Sequence, residues 1–157
     1  MLHWYVFGAL IALSTQATTR IAAQVSRPTA AEQLVGEFVS THKELAAVEL
    51  AVDSAGTCKT VAATDPKDVG DPCDADENGP MQTGDPFIEP PTKDDPVYDI
   101  TQALHDTTGR LIGAVGMDIR PAAGQDSVAV LRVARDLLRE LEASIPSKRW
   151  LFQPATK

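Results

Sequence analysis

The sequence has no apolar run long enough to cross a bilayer. The N-terminal run, Trp4 to Leu13, has ten residues, where about 20 are needed. Basic residues are scarce: 14 Lys and Arg stand against 22 Asp and Glu, for a net charge of -8. Phosphate backbones are held by basic patches, so this balance excludes nucleic acid as a partner. There are only two cysteines, Cys58 and Cys73, with no histidine beside them. They do not complete a four-ligand zinc site. There are three histidines, and no G-x-S-x-G, P-loop or H-E-x-x-H motif. His105 beside Asp106 reads as a turn-edge pair. On these absences the chain is expected not to be an enzyme, and no cofactor is expected.

What remains is 157 residues that are 43% apolar, enough for one domain around one core. The run Trp4–Leu13 fits the apolar segment of a secretory signal. Small residues follow it, with cleavage positions after Ala17 or Ala23. No Lys or Arg precedes the run, and the other reading is a buried N-terminal segment. The expected organisation is a signal over 1–23, a single domain over 26–145 and a tail over 146–157. The mature protein is expected in the periplasm or secreted, without membrane insertion. In such an oxidising compartment Cys58 and Cys73 are expected to pair, the alternative being two buried thiols. The tail, SKRWLFQPATK, reads as packing of Trp150 and Phe152 on the body, with a partner-contact patch as the alternative.

A helix is predicted from Thr29 to Ala46. Thr29 and Glu32 form a capping box, and Leu34, Val35, Phe38, Val39 and Leu45 recur at helical spacing. Val48, Leu50 and Val52 then alternate with Glu49, Ala51 and Asp53, which is strand periodicity. The turn Asp53–Gly56 leads to a second strand over 57–63. Residues 64–96 hold seven of the eleven prolines and read as a long acidic loop, with short helical turns near Pro66–Val69. A second hairpin follows around Asp106–Gly109. The last helix runs from Asp126 to Ser144 with a broad apolar stripe, and Pro146 ends it. Helices against an antiparallel sheet make an α+β domain.

Residues 109–119, GRLIGAVGMDI, with Asp106–Gly109 before them, read D-x-x-G-x-x-I-G-x-x-G-x-D-I. This resembles the closing strand of extracytoplasmic Cache sensor domains, which are PAS-like. The resemblance covers about residues 29–120. It implies an antiparallel PAS/Cache-like sheet with a long N-terminal helix and a C-terminal helix. It also implies a small-molecule ligand, and for Asp118 the role of accepting a ligand's ammonium group. Members that bind amino acids also clamp the ligand carboxylate with arginine and aromatic residues of the preceding loop. Here Asp74–Pro96 has no Arg, Trp or Tyr, and its only base is Lys93. That clamp is absent, which leaves the identity of the small-molecule ligand open; the acids of the loop would tune the pocket toward a cation. Membrane receptors of the family continue into a transmembrane helix and an output module. This chain is expected to act without them, passing any message to a partner signalling protein.

Alternation along the hairpin sorts the candidates. A four-residue loop sets Tyr98 against Met117, Ile100 against Val115 and Leu104 against Leu111. Asp99, Thr101 and Asp118 then gather on the other face, near Ala114 and Gly116. A three-residue loop with a glycine bulge shifts the register and sets Tyr98 against Asp118. Pairing of apolar residues favours the first. The candidate ligand-binding residues are Asp118, Asp99, Thr101 and Tyr98.

The alternative function is calcium binding by DADENGPMQTGD, residues 74–85. Asp74, Asp76, Asn78 and Asp85 fall near the spacing of an EF-hand loop, with Gly79 at its turn. Asp85 is shorter than the usual glutamate, and Pro72, Gly84 and Pro86 discourage flanking helices. The other reading is a solvated acidic lid.

Overall fold

The computed structural model describes residues 27–54 and 56–156; the expected signal, residues 1–23, lies outside them. Helix α1, Ala30–Thr41, starts on the expected capping box: Glu32 N–H donates to Thr29 Oγ1 at 3.2 Å and Thr29 N–H to Glu32 Oε2 at 2.6 Å. Helical spacing had extended it to Ala46. It stops earlier because Leu45 enters the sheet opposite Ile119, where both are buried. Leu45 lies seven residues after Phe38, so periodicity alone accepts it in the helix. Pairing decides otherwise.

Strand β1, Leu45–Ser54, turns through Gly56 at φ 81° into β2, Thr57–Ala63. The acidic stretch that follows corrects the loop expectation. It contains helix α2, Ala75–Thr83, and strand β3, Phe87–Glu89. Asp74 caps α2. It accepts from Asp76 N–H at 2.8 Å, and Glu77 Oε2 accepts from Asp74 N–H at 2.8 Å. Gly84, at φ 78°, ends the helix with its N–H on the Pro80 carbonyl at 2.9 Å. Around Asp65–Asp71 the chain makes turns only.

Strands β4, Tyr98–His105, and β5, Leu111–Ile119, precede helix α3, Ser127–Ala143. Ala129 N–H donates to the cap Asp126 at 2.8 Å. A short 3-10 helix, Lys148–Phe152, follows. The five strands form one antiparallel sheet in the order β2-β1-β5-β4-β3. The domain is α+β, as expected.

The core lies on one face of the sheet. Val48, Leu50, Ile100, Leu104, Val115 and Met117 meet Val35 and Phe38 of α1 and Val130, Ala134, Leu137 and Leu141 of α3. Each fully buried aliphatic side chain contributes about 1.5–3 kcal/mol. Gln102 stands in this layer and donates to the Ala134 carbonyl at 3.3 Å, which satisfies its buried amide. Helix α2 lies over the opposite face.

The β4–β5 register corrects the four-residue loop. Gly109 has φ 78°, its N–H donates to the Asp106 carbonyl, and Asp106 N–H donates to the Arg110 carbonyl. That is the three-residue turn. A second irregularity between Leu104 and His105 then moves the register one residue further. The pairs are Tyr98–Ile119, Ile100–Met117, Asp99–Asp118 and Thr101–Gly116. Two one-residue shifts restore the original faces, because side chains alternate with a period of two.

Cys58 and Cys73 are bonded, with Cα atoms 5.3 Å apart. The tail is docked on the body with Trp150 packed against the core, but Phe152, expected to pack there too, is 48% exposed. Leu151 is buried, and Thr29 bridges Pro154. Ala30 N–H donates to the Gln153 carbonyl at 2.8 Å and Ala155 N–H to that of Pro28 at 2.8 Å.

Candidate functional site

The face of the sheet turned from the core is floored by small residues. Ala47 of β1 and Gly116 of β5 leave room above the strands, and α2 with residues 63–68 closes the sides. The result is an open cavity of ≈ 590 Å³. Seven carboxylates line it: Glu49 from β1, Asp65 and Asp68 from the turns after β2, Asp76 and Glu77 from α2, Asp99 from β4 and Asp118 from β5. Among the described lining residues there is no Lys, Arg, His or Cys.

Asp99 and Asp118 are direct partners across β4 and β5, a like-charge pairing that destabilises a sheet. Their environments register the strain. Burial first, then Asp118, Asp76, Glu89 and Glu77, pushes the Asp99 carboxyl up from an ordinary 3.8 to about 6. Burial and Asp95 hold Asp118 up against the opposing pull of Arg120. The Arg120 guanidinium is committed elsewhere, donating to the Lys43 carbonyl at 3.2 Å and the Leu45 carbonyl at 2.5 Å. Glu49 is raised by burial, and Asp68, Asp71 and Asp74 add to this; the Thr60 hydroxyl, which donates to it, works the other way. Glu77 is likewise raised by burial, although its bond from Asp74 N–H opposes this. Carboxyls raised by burial and by neighbouring acids are relieved by a nearby positive charge.

Asp99 therefore makes a stability prediction. Its folded pKa lies above the unfolded value, so its ionised form penalises the fold above about pH 6. The penalty is relieved as pH falls from 6 toward 3.8. Asp99→Asn is expected to stabilise the unliganded protein at pH 7 by on the order of 1 kcal/mol, after discounting for solvent screening. Urea denaturation at pH 7 and pH 5 checks this. The advantage of the variant should shrink at pH 5.

Of the residues read from the sequence, Asp118, Asp99 and Thr101 come together in this cavity. Tyr98 does not. Strand alternation turns it to the other face, where it is 9% exposed in the core. The metal candidates are also separated. Asp74 caps α2, Asp76 lies in its first turn, and Asn78 Nδ2 donates to the Asp74 carbonyl at 2.5 Å. Asp85 follows the far end, about 15 Å along the axis at 1.5 Å per residue. Residues 74–85 thus fold as a capped helix rather than a loop. Among the described residues no group of three His, Cys, Asp or Glu is placed to hold a metal ion.

Glu49, Asp65, Asp68 and Glu77 were not among the candidates. Glu49 was legible: it alternates with Val48 and Leu50, so it faces away from the core. The pair Asp74 and Glu77 was legible as a D-x-x-E capping box. Gly79, Pro80 and the lack of an apolar stripe concealed the helix behind it.

No protein-family model matches the chain, and no curated protein does. Solved structures do. The chain is similar to the GAF domain of a two-component sensor histidine kinase from Bacillus halodurans, at 11% identity and TM-score 0.51, over 72% of this chain and 91% of that one. It is similar to a GAF domain/HD domain protein from Geobacter sulfurreducens, at 10% identity and TM-score 0.54, over 77% and 95%. It is also similar to a type II free methionine-R-sulfoxide reductase from Thermoplasma acidophilum, at 13% identity and TM-score 0.50, over 78% and 92%. At these identities the likeness shows the fold, which is GAF/PAS-like.

Proposed function

We propose that this GAF/PAS-like chain is a sensor-like binding module of the extracytoplasmic Cache type, and that its ligand is a small cation. The observation that carries this reading is the cavity. Seven carboxylates around ≈ 590 Å³, with no basic side chain among the described lining residues, make a site that favours positive charge. The groups on offer are acceptors rather than nucleophiles, which supports binding over catalysis. The sensor-kinase domain of similar fold supports a sensing role, while the reductase of similar fold is the reason to test rather than assume it. The Cys58–Cys73 bond supports an oxidising compartment. Among the described residues no helix is long and apolar enough to cross a membrane.

Thermal-shift screening with small organic cations, anions and neutral compounds tests the reading, on the native protein and Asp118→Ala. A cation is expected to raise the melting temperature, and Asp118→Ala to weaken its binding by about 10- to 100-fold, the size of one charge-assisted hydrogen bond. Hits confined to anions or neutral compounds would overturn the cationic reading. A cation hit untouched by Asp118→Ala removes that residue from the site. Calcium, the alternative, forms the control arm: heat on titration to millimolar calcium supports it, and no heat ends it.

A further inference from the structure

The seven carboxylates are not one cluster. Six of them form two poles with a neutral stretch between; the seventh, Asp65, stands in the turn after β2. One pole is Asp99 and Asp118, side by side on β4 and β5, with Asp76 and Glu77 of α2 beside them. The other is Glu49 on β1, with Asp68 beside it. The acids that act on Glu49 are Asp68, Asp71 and Asp74; those that act on Asp99 are Asp118, Asp76, Glu89 and Glu77. The two sets share no member, although Asp74 also acts on Asp76 and Glu77 of the first pole.

The sheet register gives the separation. Thr101, Gly116 and Glu49 lie in one row across β4, β5 and β1, and Asp99 and Asp118 lie in the row two residues away. With strands about 4.8 Å apart and a rise of about 3.4 Å per residue, the Glu49 Cα stands roughly 8 Å from that of Asp118 and roughly 12 Å from that of Asp99. That spread suits a ligand carrying more than one positive charge.

A second observation lies on the same row as Glu49, two strands away. Thr101 is 3% exposed and lines the cavity. Its Oγ1 lies 3.6 Å from the place a Cβ on Gly116 would take, so it is directed over the bare backbone of the floor. It has no hydrogen-bond partner among the described residues, and it opens onto the cavity rather than being sealed in protein. A hydroxyl buried to this degree is normally paired. Here the missing partner belongs on the cavity side.

We propose that the ligand is a linear polyamine. One terminal ammonium sits between Asp99 and Asp118 and the other at Glu49. The inner nitrogen donates to Thr101 Oγ1 as the methylene chain crosses Gly116. This rests on the cation-binding reading above and specifies its ligand.

Calorimetric titration of the native protein with butylamine, putrescine and spermidine at fixed ionic strength tests it. Spermidine should bind most tightly and butylamine least. Glu49→Gln should weaken spermidine at least tenfold while leaving butylamine within a few-fold, whereas Asp118→Asn should weaken both. Thr101→Val should reduce the advantage of spermidine over putrescine. Asp136→Asn removes one charge from the exposed side of α3 and should change nothing. Equal affinities for the three amines, with Glu49→Gln silent, would overturn the polyamine and leave a monocation site. An Asp136→Asn loss equal to that of Glu49→Gln means diffuse surface charge and overturns the proposal. Binding of none of the amines, while another cation shifts the melting temperature, overturns the polyamine alone.

Discussion

Gly113→Ala is expected to lower stability by about 3 kcal/mol or more, a large part of the roughly 5–15 kcal/mol available to a domain. Gly113 lies on β5 opposite Val52, in the middle of the sheet. A Cβ there would stand 1.9 Å from the Ala51 carbonyl oxygen and 2.9 Å from the Val52 Cα. Both are backbone atoms of a central strand, so no side-chain rotation relieves the clash. Strands β1 and β5 must part locally, and the core side chains on their other face move with them. Overpacking ordinarily costs about 1–3 kcal/mol when side chains can shift; here they cannot. A thermal melt should show a fall of about 10 °C or more. Gly116→Ala is the matched control. Its Cβ would meet Thr101 Oγ1 at 3.6 Å and Glu49 Cβ at 3.9 Å, ordinary contacts. Its stability should change by less than about 1 kcal/mol. Equal losses in the two variants would contradict the close approach at Gly113.

Opening the Cys58–Cys73 bond comes next in size. The bond closes a loop whose ends lie 15 residues apart, worth about 3 kcal/mol in the chain-entropy model. Its position gives it a local effect as well. Cys73 immediately precedes the cap of α2, and Cys58 lies near the start of β2. Backbone bonds lie alongside: Cys73 N–H to the Cys58 carbonyl at 3.2 Å and Thr60 N–H to that of Asp71 at 2.9 Å. In the Cys58→Ser/Cys73→Ser double variant these, with Gly70 N–H to the Thr60 carbonyl at 2.9 Å, are the described backbone bonds left to hold the segment before α2 on β2. Urea unfolding should show the global loss. Hydrogen exchange should show residues 68–78 losing protection ahead of the central strands. An unchanged unfolding midpoint would mean that the loop is held without the bond.

The residues that declared themselves in the sequence did so through local rules. Thr29 with Glu32, and Asp126 before α3, are caps whose partners lie within four residues. Gly109 follows from the D-x-x-G turn. The apolar faces of β1 and β5 follow from alternation. Asp99, Thr101 and Asp118 were placed on one face for the same reason, and that placement survived a wrong register because two one-residue shifts cancel. What was hidden depended on distant partners. Leu45 belongs to the sheet because of Ile119, 74 positions away. The α2 helix keeps Gly79 and a proline inside it, and its one strong signal, the Asp74–Glu77 box, stood within a motif that also reads as a calcium loop. Alternation turns Glu49 away from the core, but it meets the β4–β5 acids only because β1 lies beside β5, and no local pattern carries that neighbourhood.

The clasp between Pro28–Ala30 and Gln153–Ala155 has a practical consequence. Both ends of the described chain leave from one corner, beside α1, on the layer behind the sheet. The cavity opens on the opposite layer. A tag, a surface linker or a fluorescent protein joined at residue 155 would therefore point away from the binding mouth. Immobilised in that way, the protein presents its acidic pocket to solution, and a sensor chip becomes the natural format for testing the proposed amine binding in real time.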